Sequence, residues 1–156
     1  MTGGRIGLIV GRPDSGKTTY LDQVVRRART RGICVGGLLS HGLWEEGLKK
    51  GFVLEDAASG ARRILAGCRP EGDCTLLYGR FYFSPAAFAW GNAILAESAG
   101  IGLVVVDEYG PLEQQGVGLW PGIQALLNRH TGPLLLTVRP ALRPGLHQRI
   151  LAYAGL

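Results

Sequence analysis

Eight residues constrain this chain more than any others: Gly11-Arg12-Pro13-Asp14-Ser15-Gly16-Lys17-Thr18. They follow an apolar run from Arg5 to Val10 and open a helix-like stretch, Gly16 to about Arg29, that Gly32 stops. The pattern G-x-x-x-x-G-K-[ST] between a strand and a helix is a phosphate loop. Its glycines let the backbone curl until successive N–H groups point at phosphate oxygens. The helix behind it aims the positive end of its dipole at the same anion. By position, Lys17 reaches the β- and γ-phosphates, Thr18 offers its hydroxyl to Mg²⁺, and Thr19 can hydrogen-bond the α-phosphate. Asp14 sets a carboxylate beside that anion, so its expected part is in the backbone. Aspartate tolerates the left-handed conformation, with its side chain turned away. A chance match in a glycine-rich chain is the alternative. At average residue frequencies it occurs in about half a percent of chains this long, and the flanking strand and helix reduce that further.

The other long-range pattern is an alternation of apolar strands and helices. Ile33 to Leu39, Ile101 to Val106 and Leu134 to Val138 read as strands. Helices are expected from Ser84 to about Ala99, from Pro121 to Asn128 and from Gly145 to Ala154. Ser84 can cap the first of these, with Pro85 at the first helical position. Apolar strands alternating with helices imply a mostly parallel sheet covered on both faces. The expectation is one three-layer α/β domain over residues 1–156. The stretch from His41 to Phe83 breaks the pattern with short apolar pieces at Gly51–Leu54, Arg63–Ala66, Leu76–Tyr78 and Arg80–Phe83. It reads as a small antiparallel meander inserted into the main sheet, with a turn at Asp56 to Gly60.

Composition excludes several classes. Apolar residues make up 46% of the chain, enough for a core, yet no run approaches the roughly 18 to 20 residues of a membrane span. The first strand begins too close to Met1 for a signal peptide. Much of the net charge of +5 lies in one cluster, Arg26 to Arg31, where cations suit the negative end of a helix dipole. No aromatics interleave with it, as a single-strand nucleic-acid platform requires, so nucleic acid is not an expected partner. Cys34, Cys68 and Cys74 lack a metal-ligand spacing and are expected reduced and at least half-buried, in a cytoplasmic monomer. His41, His130 and His147 share no ligand spacing either.

A second motif answers the first. Leu103-Val104-Val105-Val106-Asp107-Glu108 is an apolar strand ending in two acids. Beside a phosphate loop, Asp107 is placed to hold Mg²⁺ and Glu108 to orient or deprotonate a water attacking the γ-phosphate. Lys17 and Glu108 are therefore the catalytic candidates, Thr18 and Asp107 the metal candidates. Arg80, Arg129 and Arg139 are candidate charge stabilisers. Arg139 follows the strand Leu134 to Val138 and should emerge at the edge where such sheets bind ligands. No Asn-Lys-x-Asp motif is present, so a guanine-specific switch is not expected.

With these residues the sequence resembles the small P-loop nucleoside-triphosphatases described from thermophiles, including the cancer-related nucleoside-triphosphatases. The resemblance runs over nearly the whole chain. It rests on Gly11-Arg12-Pro13 and Gly16-Lys17-Thr18-Thr19, on Gly36-Gly37 at the end of a strand, and on Gly51-Phe52. It continues with Tyr78-Gly79-Arg80-Phe81 and, most specifically, Val106-Asp107-Glu108-Tyr109-Gly110-Pro111-Leu112-Glu113. It implies a RecA-like fold and slow, Mg²⁺-dependent hydrolysis of several nucleoside triphosphates. Carried over by position, Lys17 and Thr18 contact phosphate and metal, Asp107 is the metal partner, Glu108 activates water, and Glu113 supports the loop after the strand. One stretch departs. Where the family shows a glutamate and an arginine before the Gly-Phe pair, this chain has Ser40-His41-Gly42-Leu43-Trp44-Glu45-Glu46, and Trp44 offers a surface on which a base could stack. A small-molecule or nucleotide kinase is the first alternative, although no lid-like pair of arginines stands near a helix hinge. A nucleotide-gated binding module is the second.

Overall fold

Strand periodicity decides which face each central side chain meets. In β7 (Leu103–Tyr109), Val104 and Val106 point to one side, Leu103 and Val105 to the other, and all four are buried. Val105 packs with Leu21, Val25 and Ala28 of α1 (Lys17–Thr30). Val104 and Val106 pack with Leu95 of α2 (Pro85–Glu97), Ile123 and Leu126 of α4 (Trp120–Arg129) and Leu146 of α5 (Arg143–Tyr153). Two cores on two faces of one sheet make three layers. This is a computed structural model that describes residues 4–155. The ends of the expected domain, residues 1–3 and 156, lie outside them.

The remaining elements are β1 (Ile6–Val10), β2 (Val35–Glu45), β3 (Leu48–Asp56), β4 (Arg62–Gly67), β5 (Leu76–Tyr78), β6 (Phe81–Phe83), the short helix α3 (Pro111–Gln114) and β8 (Leu134–Val138). A 3₁₀ turn, Pro140–Leu142, leads into α5. The eight strands form one sheet in the order β1-β8-β7-β2-β3-β4-β6-β5. The first four are parallel to one another. The outer four are joined antiparallel.

β2 belongs to both halves. Val35 to Leu38 pair with β7, and Leu38 to Glu45 pair with β3. The glycine pair expected to end this strand lies inside it. Gly37 has φ 102°, and a Cβ there would overlap the carbonyl oxygen of Val105. Glycine at this point permits a close approach of two backbones, not a stop. The meander expected between His41 and Phe83 is accordingly the outer half of the same sheet.

Helix ends follow their local chemistry. Ser84 Oγ accepts from Ala87 N–H at 3.0 Å, and Pro85 occupies the first turn of α2. Beyond α1, Gly32 takes φ 75° and Ile33 N–H donates back to Ala28 O at 3.0 Å. At its other end α1 has no side-chain cap: its N-cap is Gly16, φ 94°. Cys34 and Cys68 are exposed and only Cys74 is buried, contrary to expectation. The two exposed thiols sit just before β2 and just after β4, where the chain has left the core. Among the described residues, no helix is long and apolar enough to cross a membrane.

Candidate active site

The phosphate loop lies between β1 and α1, held to the sheet where Gly11 N–H donates to Val138 O of β8 at 3.1 Å. Within it, Ser15 N–H donates to Arg12 O at 3.2 Å. Arg12, Pro13, Asp14, Ser15, Gly16 and Thr19 are exposed, and Gly11, Lys17 and Thr18 are half-buried. Asp14 takes the left-handed conformation, φ 60°. Its carboxylate turns to the ammonium of Lys49 on β3. The Lys17 ammonium donates to the carbonyls of Gly11 and Arg12, each at 2.7 Å. Burial pushes the Lys17 pKa down, against the pull of Glu108 and Asp107. The loop therefore combines a curled backbone, an uncapped helix N-terminus and a cation.

Asp107 and Glu108 are consecutive, and in a regular strand consecutive side chains point to opposite faces. A bulge removes that obstacle. Val106 pairs with Leu136 and Tyr109 with Val138, so the two acids of β7 stand opposite the single residue Thr137 of β8. Thr137 Oγ1 donates to Asp107 Oδ1 at 2.8 Å and accepts from Glu108 N–H at 2.6 Å. Glu108 takes φ 75°, a conformation costing a non-glycine residue about 1–3 kcal/mol and typical of functional sites. The bulge brings both carboxylates into the cleft that Lys17 and Thr18 line.

Asp107 is 2% exposed. Burial pushes its pKa up, opposed by hydrogen bonds from Ser40 N–H and Thr137 Oγ1. Ser40 is the hub of this corner. Its N–H donates to Asp107 Oδ2 at 3.0 Å, and its carbonyl accepts from Thr18 Oγ1 at 3.2 Å. The hydroxyl and the carboxylate thus converge on one backbone unit as two hard oxygen donors. Among the described residues no group of three or more His, Cys, Asp or Glu could form a metal cage. One hydroxyl and one carboxylate fit a Mg²⁺ ion that keeps water and takes further oxygens from phosphates.

The three candidate arginines separate. Arg139 joins the site, donating from Nη2 to Glu108 Oε1 at 2.9 Å. Arg80, on the tight β5–β6 turn, lines a second cavity that also touches Glu108. Arg129 ends α4 on the exposed surface, before β8 begins, so it lies at the opposite edge of the parallel strands. Glu113 is 6% exposed, and its two oxygens accept from Gly110 N–H and Leu119 N–H, each at 2.9 Å. Burial pushes its pKa up to about 7. It braces the loop around α3. Trp44 is 56% exposed beside Lys49 and lines the phosphate cleft. Sequence reasoning missed Ser40, Lys49 and Thr137. Only the threonine had a signal, a polar residue inside the apolar strand Leu134 to Val138.

Comparisons with known proteins find relatives of this chain. The nucleoside-triphosphatase THEP1 of Thermofilum pendens is 29% identical over 84% of this chain. Those of Hyperthermus butylicus and Methanothermobacter thermautotrophicus are 30% and 33% identical over 78% and 68% of it. The matches span 71%, 64% and 60% of those relatives' own lengths. Two solved structures share the fold at 20% identity, each over 94% of this chain. A human cancer-related nucleoside triphosphatase has a TM-score of 0.72 with 85% of its chain covered, and THEP1 of Aquifex aeolicus 0.69 with 83% covered. The family model described as NTPase matches residues 7–155, and the chain belongs to that family.

Proposed function

We propose that the protein hydrolyses nucleoside triphosphates, ATP and GTP among them, to the diphosphate and phosphate, slowly, with Mg²⁺ and with little regard for the base. The observation that carries this reading is the bulge at Asp107-Glu108, which turns two adjacent acids toward one phosphate loop. The loop N–H groups and Lys17 hold the β- and γ-phosphates, and Thr18 and Asp107 hold the metal. Mg²⁺, when bound, neutralises charge on the phosphates. Glu108 orients a water beyond the γ-phosphate and takes its proton. The water oxygen bonds to phosphorus as the bond to the β,γ-bridging oxygen breaks. Phosphoryl transfer asks mainly for positioning and electrostatics, and the donors around Ser40 and Thr137 supply both.

Arg139 holds Glu108 in place through Oε1 and leaves Oε2 to take the proton. Base tolerance follows from Trp44, which lines the cleft with an exposed ring beside Lys49. Stacking is tolerant because every base has a π-face. Phosphate release from ATP, GTP, CTP and UTP, each with Mg²⁺ and with a chelator, tests the proposal. Release from all four within about a hundredfold, the low end of hydrogen-bond discrimination, and loss with chelator are expected. A single accepted base, or unchanged release in chelator, overturns it.

A further inference from the structure

A second space opens on the same two acids. A cavity of about 250 Å³ lies where the antiparallel strands meet α2 and the α3 loop. Ser40, Phe52, Asp107, Glu108 and Arg139 line both it and the phosphate cleft. The two spaces are neighbours across Glu108, and Thr19 and Trp44 line only the phosphate cleft. With the α-phosphate toward Thr19 and the γ-phosphate toward Glu108, the cavity lies on the γ side.

The walls are wrong for water. Phe52 meets Phe81 edge to face at 5.1 Å between centroids and stacks with Phe83 at 6.3 Å. Phe83 stacks in turn on Phe88 at 5.6 Å. Leu54, Leu65, Leu112 and Leu119 line it as well. Its charged side chains are those of Arg80, Arg139, Asp107, Glu108 and Glu113, and Glu113 is already tied to two backbone N–H groups. Arg139 Nε–H is buried with no acceptor among the described residues. Hydrolysis needs no apolar chamber beside its attacking water, and it gives no part to Tyr78-Gly79-Arg80-Phe81 or Gly110-Pro111-Leu112, which both line this one. An apolar cavity of about 150 Å³ already holds a benzene ring, and this one is larger.

We infer that the cavity is an acceptor site for a small planar aromatic alcohol, to whose hydroxyl the enzyme transfers the γ-phosphoryl group. The inference rests on the hydrolase reading of the phosphate cleft, with water as the acceptor when the cavity is empty. The ring lies among Phe52, Phe81, Phe83 and Phe88, and its hydroxyl faces Glu108. The hydroxyl oxygen forms a bond to the γ-phosphorus, and the bond from that phosphorus to the β,γ-bridging oxygen breaks. The diphosphate leaves with that oxygen and its electron pair, and the hydroxyl proton passes to the Glu108 carboxylate. The products are a phosphate monoester, the nucleoside diphosphate and one proton. Arg80 and Arg139 stand where the monoester's charge develops.

The test uses the full chain with γ-labelled ATP and Mg²⁺, and three probes: benzyl alcohol, 1-naphthalenemethanol and indole-3-methanol. At least one is expected to bind saturably by calorimetry beside a non-hydrolysable triphosphate, and to carry label as a monoester. Leu65→Phe, which fills the cavity, should shift label from monoester to free phosphate by at least tenfold. Leu65→Met, which conserves volume, should keep the parent ratio and controls for misfolding. If the parent releases phosphate but binds none of the probes, or if binding survives Leu65→Phe, the acceptor site is wrong and the hydrolase stands. Failure to cleave ATP under any condition sinks the hydrolase reading itself.

Discussion

The two halves of the sheet were built for different kinds of recognition. The parallel half, β1, β8, β7 and β2, ends in backbone N–H groups, a lysine and two acids, all directed at an anion. The antiparallel half, β3, β4, β6 and β5, contributes aromatic rings and one lysine. Phosphate recognition needs fixed dipoles and charge at a helix end, which only a strand-to-helix crossover presents. An apolar wall needs none of that, and a short antiparallel hairpin can supply it. The division predicts that changes in the parallel half affect phosphate and metal binding and the chemical step, whereas changes in the antiparallel half redirect which acceptor is bound.

The sharpest way to break this division is Lys17→Ala. The ammonium is the one side-chain cation of the phosphate loop that bonds back onto its own carbonyls. Its loss should remove measurable turnover and weaken Mg²⁺-triphosphate binding, read by calorimetry. Equal affinity in variant and parent would mean that the backbone alone holds the phosphates.

Glu108→Gln should come next and should act on rate alone. A positioned general base contributes about 10²- to 10⁴-fold, so kcat should fall at least a hundredfold in single-turnover hydrolysis while nucleotide Kd stays within a few-fold. Affinity should, if anything, tighten as a negative charge near the γ-phosphate disappears. Asp107→Asn should differ by weakening Mg²⁺-dependent binding along with rate. If Glu108→Gln hydrolyses at the parent rate, Glu108 is not the base and the parallel half is a binding surface.

How much of this was legible depends on whether a feature is local in the chain. The phosphate loop and the Asp107-Glu108 pair are runs of adjacent residues with fixed chemistry, so their places on the sheet could be read directly. The bulge could not, because it is a mismatch of register between β7 and β8, strands whose pairing no local pattern reports. Ser40 contributes its backbone, not its side chain, to Asp107 and Thr18, and a backbone donor leaves no residue signature. Lys49 reaches Asp14 only because β3 folds back on β2. The outer strands were visible as apolar pieces between His41 and Phe83. Their union with the main sheet runs through Gly36-Gly37, a pair that suggested the end of a strand and lies inside β2.

Thr137 tests the bulge itself. Thr137→Val keeps the shape of the side chain but removes the hydroxyl that joins Asp107 Oδ1 to Glu108 N–H. An acceptor and a donor lose their shared partner together, at about 1–3 kcal/mol for a buried group left unpaired. Loss of a group that orients a metal-site carboxylate typically costs about 10- to 100-fold. A drop in kcat of that size with an unchanged fold by circular dichroism is expected. A parent-like rate would show that backbone geometry alone holds the two acids.

The smallest effect is expected at Glu113, which lies on the parallel half's loop yet lines the antiparallel half's cavity. Its carboxylate receives two backbone N–H bonds, but burial outweighs them and lifts its pKa from the ordinary 4.5 to about 7. A group that holds its proton more tightly folded than unfolded contributes stability that is full below the unfolded pKa. That contribution is lost as pH rises through the folded one. The parent should therefore lose stability between about pH 4.5 and 7, by up to about 3 kcal/mol at roughly 1.4 kcal/mol per unit. Glu113→Gln removes the titration, but its amide nitrogen cannot accept the second backbone N–H, so it should be about 1–3 kcal/mol less stable than the parent at pH 5. By pH 8.5 that gap should have closed or reversed. Urea unfolding of both proteins at pH 5, 7 and 8.5 reads the difference directly, and other titrating groups, Asp107 included, cancel in the subtraction. Parallel stability profiles for the two proteins would mean that the Gly110 and Leu119 N–H groups fully offset burial. The carboxylate would then be charged throughout, and the loop bordering the cavity would carry a fixed negative group toward any acceptor.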